Sequence, residues 1–300
     1  MAVETSEALL NRIVAAFADV RGVRAIVLGG SRGRGVHHAG SDYDVGLYYA
    51  GDLDIAALEK AAAGMSDGAR SYLGGGWLRR PPTQSASPPL MTQRGGWGAW
   101  VDGGGWLTID GEPVDILYRD CARVEGVIAD CHAGKFECAY HYGHPHAFVS
   151  TMYAGEIATC RALHDPDGFV SACKAGLDPY PQALRAALIA RFLDEARFFL
   201  AIAQKAADTA DVTYVAGCAF RAASCLLQAI FALNRQWLIN EKGALALAAS
   251  FAVAPKDLKA RVERAFNISA EAAKLKRTLS TLMSLADETA ALPQAGQCSR

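Results

Sequence analysis

The stretch LGGSRGRGVHHAGSDYDVGLYY, residues 28–49, decides the fold of the N-terminal half. A short β-branched run precedes it, so its glycines predict a tight turn that directly follows a buried strand. The segment DYDVGLYY predicts a second strand. Because side chains two apart on a strand share a face, Asp42 and Asp44 are expected to lie side by side, with Tyr43 and Val45 facing away.

The glycine-rich turn matches neither of the two common nucleotide-binding fingerprints. A P-loop requires a lysine after its glycines, and no lysine follows here. No register of residues 29–40 supplies G-x-G-x-x-G. The turn is therefore either a phosphate-binding turn of another kind or a turn with no ligand, and the aspartates must decide between the two.

Two neighbouring carboxylates repel each other, and a divalent cation between them removes that repulsion. Oxygen ligands on a rigid strand suit Mg²⁺, which keeps several waters and completes its shell with substrate phosphates. A third carboxylate, Asp115, lies in the second strand of a hairpin predicted over residues 106–120, whose Asp110-Gly111 pair is a type I′ turn signal. Three aspartates could hold two metal ions, as in enzymes that displace phosphoryl groups in line.

Together, GGS, a spacer, SDYDVGLY and the later PVDILY resemble the nucleotidyltransferase superfamily with the DNA polymerase β-like palm. The resemblance implies Asp42, Asp44 and Asp115 as ligands of two Mg²⁺ ions and as catalytic residues. It also implies a nucleoside triphosphate substrate, which we take to be ATP. The residues of the turn and spacer that would contact the nucleotide are Gly29, Gly30, Ser31, Arg34 and Ser41.

The C-terminal half resembles the helical part of antibiotic nucleotidyltransferases of the kanamycin, streptomycin and lincosamide type. Residues 232–251 resemble a helix of that group whose lysine contacts the triphosphate, which implies a phosphate contact for Lys242. By the same analogy, Glu156 would act as a base towards the acceptor hydroxyl or would position that hydroxyl. A helix-start carboxylate favoured by the helix dipole is the alternative for Glu156.

The predicted fold class is α+β, with a nucleotidyltransferase palm followed by an antiparallel helix bundle. The palm is expected over residues 1–145 and the bundle over residues 146–300, with a disordered tail over 290–300. Within the palm, residues 66–105 are rich in Gly, Pro and Ser and predict a long loop, either a lid or an inert insertion. Helices of the bundle are expected within residues 147–163, 181–206, 214–238 and 255–286.

The charge and hydropathy of the chain argue against certain substrates and locations. The chain of 300 residues has 30 basic and 31 acidic residues, and its net charge of −1 argues against a polynucleotide substrate, although a local basic patch stays open. The N-terminus lacks the basic start and apolar core of a signal peptide, and no apolar run reaches 18 residues, so a cytoplasmic protein without a membrane span is expected.

The predicted activity is therefore transfer of a nucleoside monophosphate, AMP by preference, to the hydroxyl of a small molecule such as an aminoglycoside-like antibiotic, with release of pyrophosphate. Two alternatives stay open. One is a protein AMP-transferase of the toxin–antitoxin type, and the other is a non-catalytic nucleotide-binding protein. The sequence sets neither the acceptor, nor the nucleobase, nor the oligomeric state.

Overall fold

A computed structural model describes residues 2–69 and 89–293. The chain divides into two compact units, each made of two segments. The first unit contains Met1–Ile128 and Glu156–Asp178, and the second contains Ala129–Gly155 and Pro179–Arg300. The single boundary predicted between residues 145 and 146 differs from this division, because the chain passes between the units three times.

The described residues form helices and strands in mixed order. The helices are α1 (Ala2–Phe17), α2 (Gly30–Gly33), α3 (Ile55–Met65), α4 (Cys121–His132), α5 (Thr151–Thr159), α6 (Phe169–Gly176), α7 (Gln182–Asp208), α8 (Val212–Leu233), α9 (Ala244–Ala248), α10 (Leu258–Ala265) and α11 (Ala272–Ala291). The strands are β1 (Val23–Leu28), β2 (Tyr43–Tyr49), β3 (Gly68–Ala69), β4 (Gly104–Ile109), β5 (Glu112–Asp120), β6 (Cys138–His141), β7 (His144–Val149) and β8 (Arg161–His164).

The first unit is built on a six-stranded mixed sheet in the order β3-β4-β5-β2-β1-β8. Strands β2 and β5 run parallel, whereas the other neighbouring strands are antiparallel. The strands predicted on either side of the glycine turn are confirmed as β1 and β2. The hairpin is confirmed as β4 and β5, and both residues of its turn, Asp110 and Gly111, have the positive φ of a type I′ turn.

One face of this sheet packs into a hydrophobic core. Alternate residues of β2 and β5 point into that core, including Tyr43 and Val45, as the alternation in the sequence predicts. Helix α1 covers the core with an apolar stripe, and Ile13 and Phe17 on that stripe are fully buried. The opposite face therefore carries the residues between the buried ones, which include Asp44 and Asp115.

The predicted long loop over residues 66–105 has more order than expected where the structure describes it. Residues 70–88 lie outside the described part of the chain. Beyond them, Met91 is buried, and its backbone N–H and that of Leu90 donate to the carboxylate of Glu59 at 2.8 and 3.0 Å. The Trp97 ring stacks on Trp106 at 4.5 Å between centroids. The two alternatives of a lid and an inert insertion both stay predictions.

The second unit begins within α4 at Ala129, contains the hairpin of β6 and β7, and continues with helices. The predicted helix over residues 147–163 is wrong at both ends, because β7 occupies its first residues and β8 its last. Strand β8 pairs with β1 and forms one edge of the six-stranded sheet, and this pairing places the segment in the first unit. A local helical pattern cannot anticipate that a distant sheet edge needs a partner.

The helices of the second unit follow the sequence more closely. Helix α7 is confirmed with slightly different ends, whereas α8 stops at Leu233 and the predicted single segment 255–286 is interrupted between α10 and α11. Helix α11 continues to Ala291, so the predicted disordered tail over 290–300 is wrong at its first two residues, and residues 294–300 lie outside the described part. The α+β class is confirmed.

Helix α8 has 22 residues and is apolar enough to cross a membrane by length and composition. However, 72% of its most apolar window is buried inside the protein. The core helix of a soluble bundle has the same properties. Its burial explains its composition without a membrane.

Candidate active site

The glycine-rich turn is tied directly to the first strand aspartate. The N–H of Gly29 donates to the backbone oxygen of Asp44 at 2.7 Å. Gly30 begins the one-turn helix α2 with a φ of +56°, and a Cβ at this position would overlap Oδ2 of Asp44. Only glycine combines that backbone conformation with that close approach. The conformation of the turn therefore depends on the position of the Asp44 side chain.

Asp44 and Asp115 are direct partners in the parallel pairing of β2 with β5. The residues that flank the pair, Tyr43 with Val114 and Val45 with Ile116, are themselves partners and are buried in the core. The two aspartates consequently lie on the face opposite the core, at adjacent positions of neighbouring strands. Two acidic residues about seventy positions apart are thus brought together by strand register.

The electrostatics of this face are strongly negative. The pKa of Asp44 is raised to about 6, first by burial and then by the charges of Asp115, Asp42 and Glu156, with Arg34 acting in the opposite direction. The first cause is the loss of water around the carboxylate, and the others are repulsion between like charges. The protein therefore concentrates more negative charge around Asp44 than its own Arg34 offsets.

This charge fits a divalent cation, because carboxylate oxygens are the ligands that Mg²⁺ and similar ions prefer. Within residues 2–69 and 89–293, no group of three or more His, Cys, Asp or Glu side chains lies close enough together to hold a metal ion. Asp42 precedes β2 and is exposed, whereas Asp44 and Asp115 lie within paired strands.

A buried ion pair lies beside the aspartates. Arg119 donates from Nε and Nη2 to the two carboxylate oxygens of Glu156, at 2.6 and 2.7 Å. The Arg119 side chain is only 4% exposed, and its Nη1 donates to the backbone oxygens of Tyr118 and Val101. The guanidinium therefore holds Glu156 in a fixed orientation within charge range of Asp44.

Arg119 was not anticipated by the sequence reasoning, although a signal for it exists. It lies four residues after Asp115 on β5, so strand alternation puts both on the same face. An arginine in that register beside three acidic residues is a candidate for a fixed ion pair. Its partner could not be read from the sequence, because Glu156 lies on α5, beyond a second hairpin.

The other predicted nucleotide contacts take different positions. Arg34 ends α2 and acts electrostatically on Asp44, which keeps it at the site. Ser41 is buried, and its hydroxyl accepts a hydrogen bond from the N–H of His38 at 3.1 Å, so the hydroxyl supports the spacer loop. Lys242 belongs to the second unit and is exposed in the segment between α8 and α9, which is not helical. Its proposed phosphate contact stays a prediction.

Comparison with known proteins identifies the type of domain that contains this site. Residues 10–74 match the family model described as Nucleotidyltransferase domain. The match contains β1, the glycine turn, Asp42 and Asp44. The chain carries a nucleotidyltransferase domain. The protein is accordingly an enzyme that transfers a nucleotidyl group, and such domains in general use nucleoside triphosphates and divalent metals.

The remaining comparisons add little to this domain. Residues 149–242 match a family model described as Domain of unknown function (DUF4037). A solved structure of a nucleotidyltransferase-like protein from Exiguobacterium sibiricum aligns with 10% identity and a TM-score of 0.36, over 92% of this chain and 73% of that one. No curated protein matches the chain.

Proposed function

We propose that the protein transfers AMP from ATP to a hydroxyl of a small-molecule acceptor, with an aminoglycoside-like antibiotic as the first class to test. The observation that carries the proposal is the attachment of the Gly29–Gly30 turn to Asp44, with Asp115 directly opposite in register. This arrangement places the first backbone N–H groups of α2, which can donate to phosphate, beside two carboxylates that can hold the cation that neutralises phosphate.

The residues of the turn bind the nucleotide in this proposal. Backbone N–H groups of Gly30 and Ser31, the Ser31 hydroxyl and the Arg34 guanidinium donate to phosphate oxygens. Lys242 is proposed as a further phosphate contact. Asp42, Asp44 and Asp115 would hold Mg²⁺, which supplies positive charge to the phosphate oxygens in the transition state.

The transfer step is an in-line displacement at the α-phosphorus. The acceptor oxygen forms a bond to that phosphorus, the bond from phosphorus to the bridging oxygen of the β-phosphate breaks, and pyrophosphate leaves. The hydroxyl proton passes to solvent. We assign Glu156 the positioning of the acceptor hydroxyl and not its deprotonation, because both of its oxygens already accept hydrogen bonds from Arg119.

The test is a pyrophosphate-release assay with purified protein, MgCl₂, each of the four NTPs and a panel of aminoglycosides and lincosamides. We expect release that requires both an NTP and an acceptor, fastest with ATP. Asp44→Asn should abolish it, since the substitution removes a charge and keeps the shape. Asp19→Asn is the matched control, because Asp19 is exposed in the turn after α1 and belongs to no part of the site.

Different results of this assay would disprove the site assignment, the acceptor class or the transfer reaction. Pyrophosphate release by the wild type with full activity in Asp44→Asn would disprove the site assignment. Release in the presence of cell proteins but with none of the small molecules, together with an AMP mass increase on a protein, would replace the small-molecule acceptor by a protein hydroxyl. NTP binding without release on any acceptor would disprove the proposed transfer.

A further inference from the structure

The second unit contains an open cleft along α10 and α11 with a volume of about 630 Å³. Four of the residues that line it are basic and none is acidic. Several others carry a neutral hydrogen-bonding side chain. The basic lining residues are Arg261, Arg264, Lys274 and Arg277. We name this cleft the α10–α11 groove.

Two of the four cations are already paired. Arg261 donates to both oxygens of Glu288 at 2.6 Å, and Lys274 contacts Glu271 at 2.9 Å. For Arg264 and Arg277, by contrast, no side-chain hydrogen bond or ion pair occurs among residues 2–69 and 89–293. Two guanidinium groups therefore face the α10–α11 groove with their donors available to an anion.

The charge of the groove contrasts with that of the whole chain. Between Lys256 and Arg277 there are seven basic and three acidic residues, whereas the chain as a whole has a net charge of −1. Guanidinium groups match phosphate geometry through paired donors, and lysines act as point charges. A ligand with several phosphates spaced along it would satisfy such a lining best.

The neutral lining residues and one aromatic ring favour a nucleic acid over a simple polyanion. Asn267, Ser280 and Thr281 line the α10–α11 groove with groups that can bond phosphate and sugar oxygens. Phe266 does not itself line the groove, but it follows α10 in the chain between the lining residues Ala265 and Asn267, and it is 36% exposed although it is apolar. A basic groove beside an exposed aromatic ring is the combination that binds single strands, through phosphate contacts and base stacking.

We propose that the α10–α11 groove binds a single-stranded nucleic acid, with Arg264 and Arg277 on successive phosphates and Phe266 against a base. This inference does not rest on the proposed function, because none of its residues belongs to the candidate active site. It identifies the local basic patch that the overall charge of the chain conceals.

The test measures binding of a fluorescein-labelled twelve-nucleotide oligo(rU) to the full chain by anisotropy at several salt concentrations. Each phosphate contact on a single strand contributes about −0.7 to the slope of log Kobs against log[salt]. With the two unpaired arginines on phosphates, we expect a slope of about −1.4, and a slope near zero for the Arg264→Ala/Arg277→Ala variant. Lys205→Ala removes an exposed cation elsewhere in the second unit and should leave the slope unchanged.

Two further measurements distinguish a nucleic acid from other polyanions as the ligand of the groove. Phe266→Leu should weaken oligo(rU) binding at least severalfold but leave binding of inorganic polyphosphate unchanged, because only the oligonucleotide has bases to stack. Circular dichroism melting checks that each variant is folded. No oligonucleotide binding at 50 mM salt, an unchanged slope in the double arginine variant, or equal effects of Phe266→Leu on both ligands would each overturn the proposal.

Discussion

The buried ion pair between Arg119 and Glu156 provides the sharpest test of the candidate site. Replacing Arg119 by Met removes two short charge-assisted hydrogen bonds and leaves the Glu156 carboxylate beside Asp44 without its cation. Loss of one partner of a buried pair destabilises a protein by about 3–5 kcal/mol. The Glu156 side chain is 24% exposed, so water can partly solvate it, and we expect a loss of about 3 kcal/mol, the lower end of that range.

Two further variants measure the interaction energy between Arg119 and Glu156. Glu156→Gln keeps the shape but removes the negative charge, and the double variant Arg119→Met/Glu156→Gln leaves neither charge unpaired. We therefore expect the double variant to be more stable than the sum of the two single losses predicts, with a coupling energy of about 2 kcal/mol, within the range for contacting residues. An unpaired buried charge is the physical reason for the difference.

The measurement is urea unfolding followed by tryptophan fluorescence, with the linear dependence of the unfolding free energy on urea concentration. Trp97, Trp100 and Trp106 belong to the first unit, so this signal reports mainly on the unit that contains the pair. A loss below about 1 kcal/mol in Arg119→Met, the level of a surface ion pair, would refute the reasoning. So would strict additivity in the double variant.

Two further predictions concern the turn and a buried histidine. Gly30→Ala should lower stability by at least about 1 kcal/mol and weaken ATP binding in calorimetry, because its Cβ needs a left-handed backbone and overlaps Asp44. Gly35→Ala, with a φ of +72° but open space, is the control, and equal effects would contradict a role for the Asp44 contact. Burial, with the charge of Arg221, lowers the pKa of His146 to about 4. The unfolded chain then binds more protons between pH 4 and 6.5, so stability should fall as the pH is lowered through that window, by about 3 kcal/mol in total. His146→Phe should remove this part of the pH dependence in urea titrations at pH 7 and pH 4.5, and an unchanged difference between those pH values would disprove the assignment.

The local features of the fold were predictable because they depend on neighbours in the chain. Strand alternation put Asp44 on the face opposite Tyr43 and Val45, and the Asp110-Gly111 pair marked the hairpin turn. The apolar period of residues 181–206 marked α7, the longest of the described helices. In each case the signal lies within one or two turns of helix or one strand, where side-chain direction follows from backbone geometry alone.

The errors share one cause. The segment 147–163 carries a helical pattern, but its ends are strands, because β7 completes a hairpin and β8 hydrogen-bonds to β1. Tertiary pairing satisfies backbone donors and acceptors at a sheet edge, and this gain outweighs a weak local preference. The same pairing places β8 in the first unit, which a division of the chain at one point does not represent.

The sequence by itself determined the turn, the Asp-x-Asp strand and the presence of a third strand aspartate, and so the class of chemistry. Only the tertiary structure decided that Asp115 lies directly opposite Asp44, and that Arg119 and Glu156 form a pair beside them. Those relations depend on strand order and register, which are fixed by burial of the whole core and not by any local pattern. The same holds for the α10–α11 groove, whose charge appears only when two helices bring their arginines to one cleft.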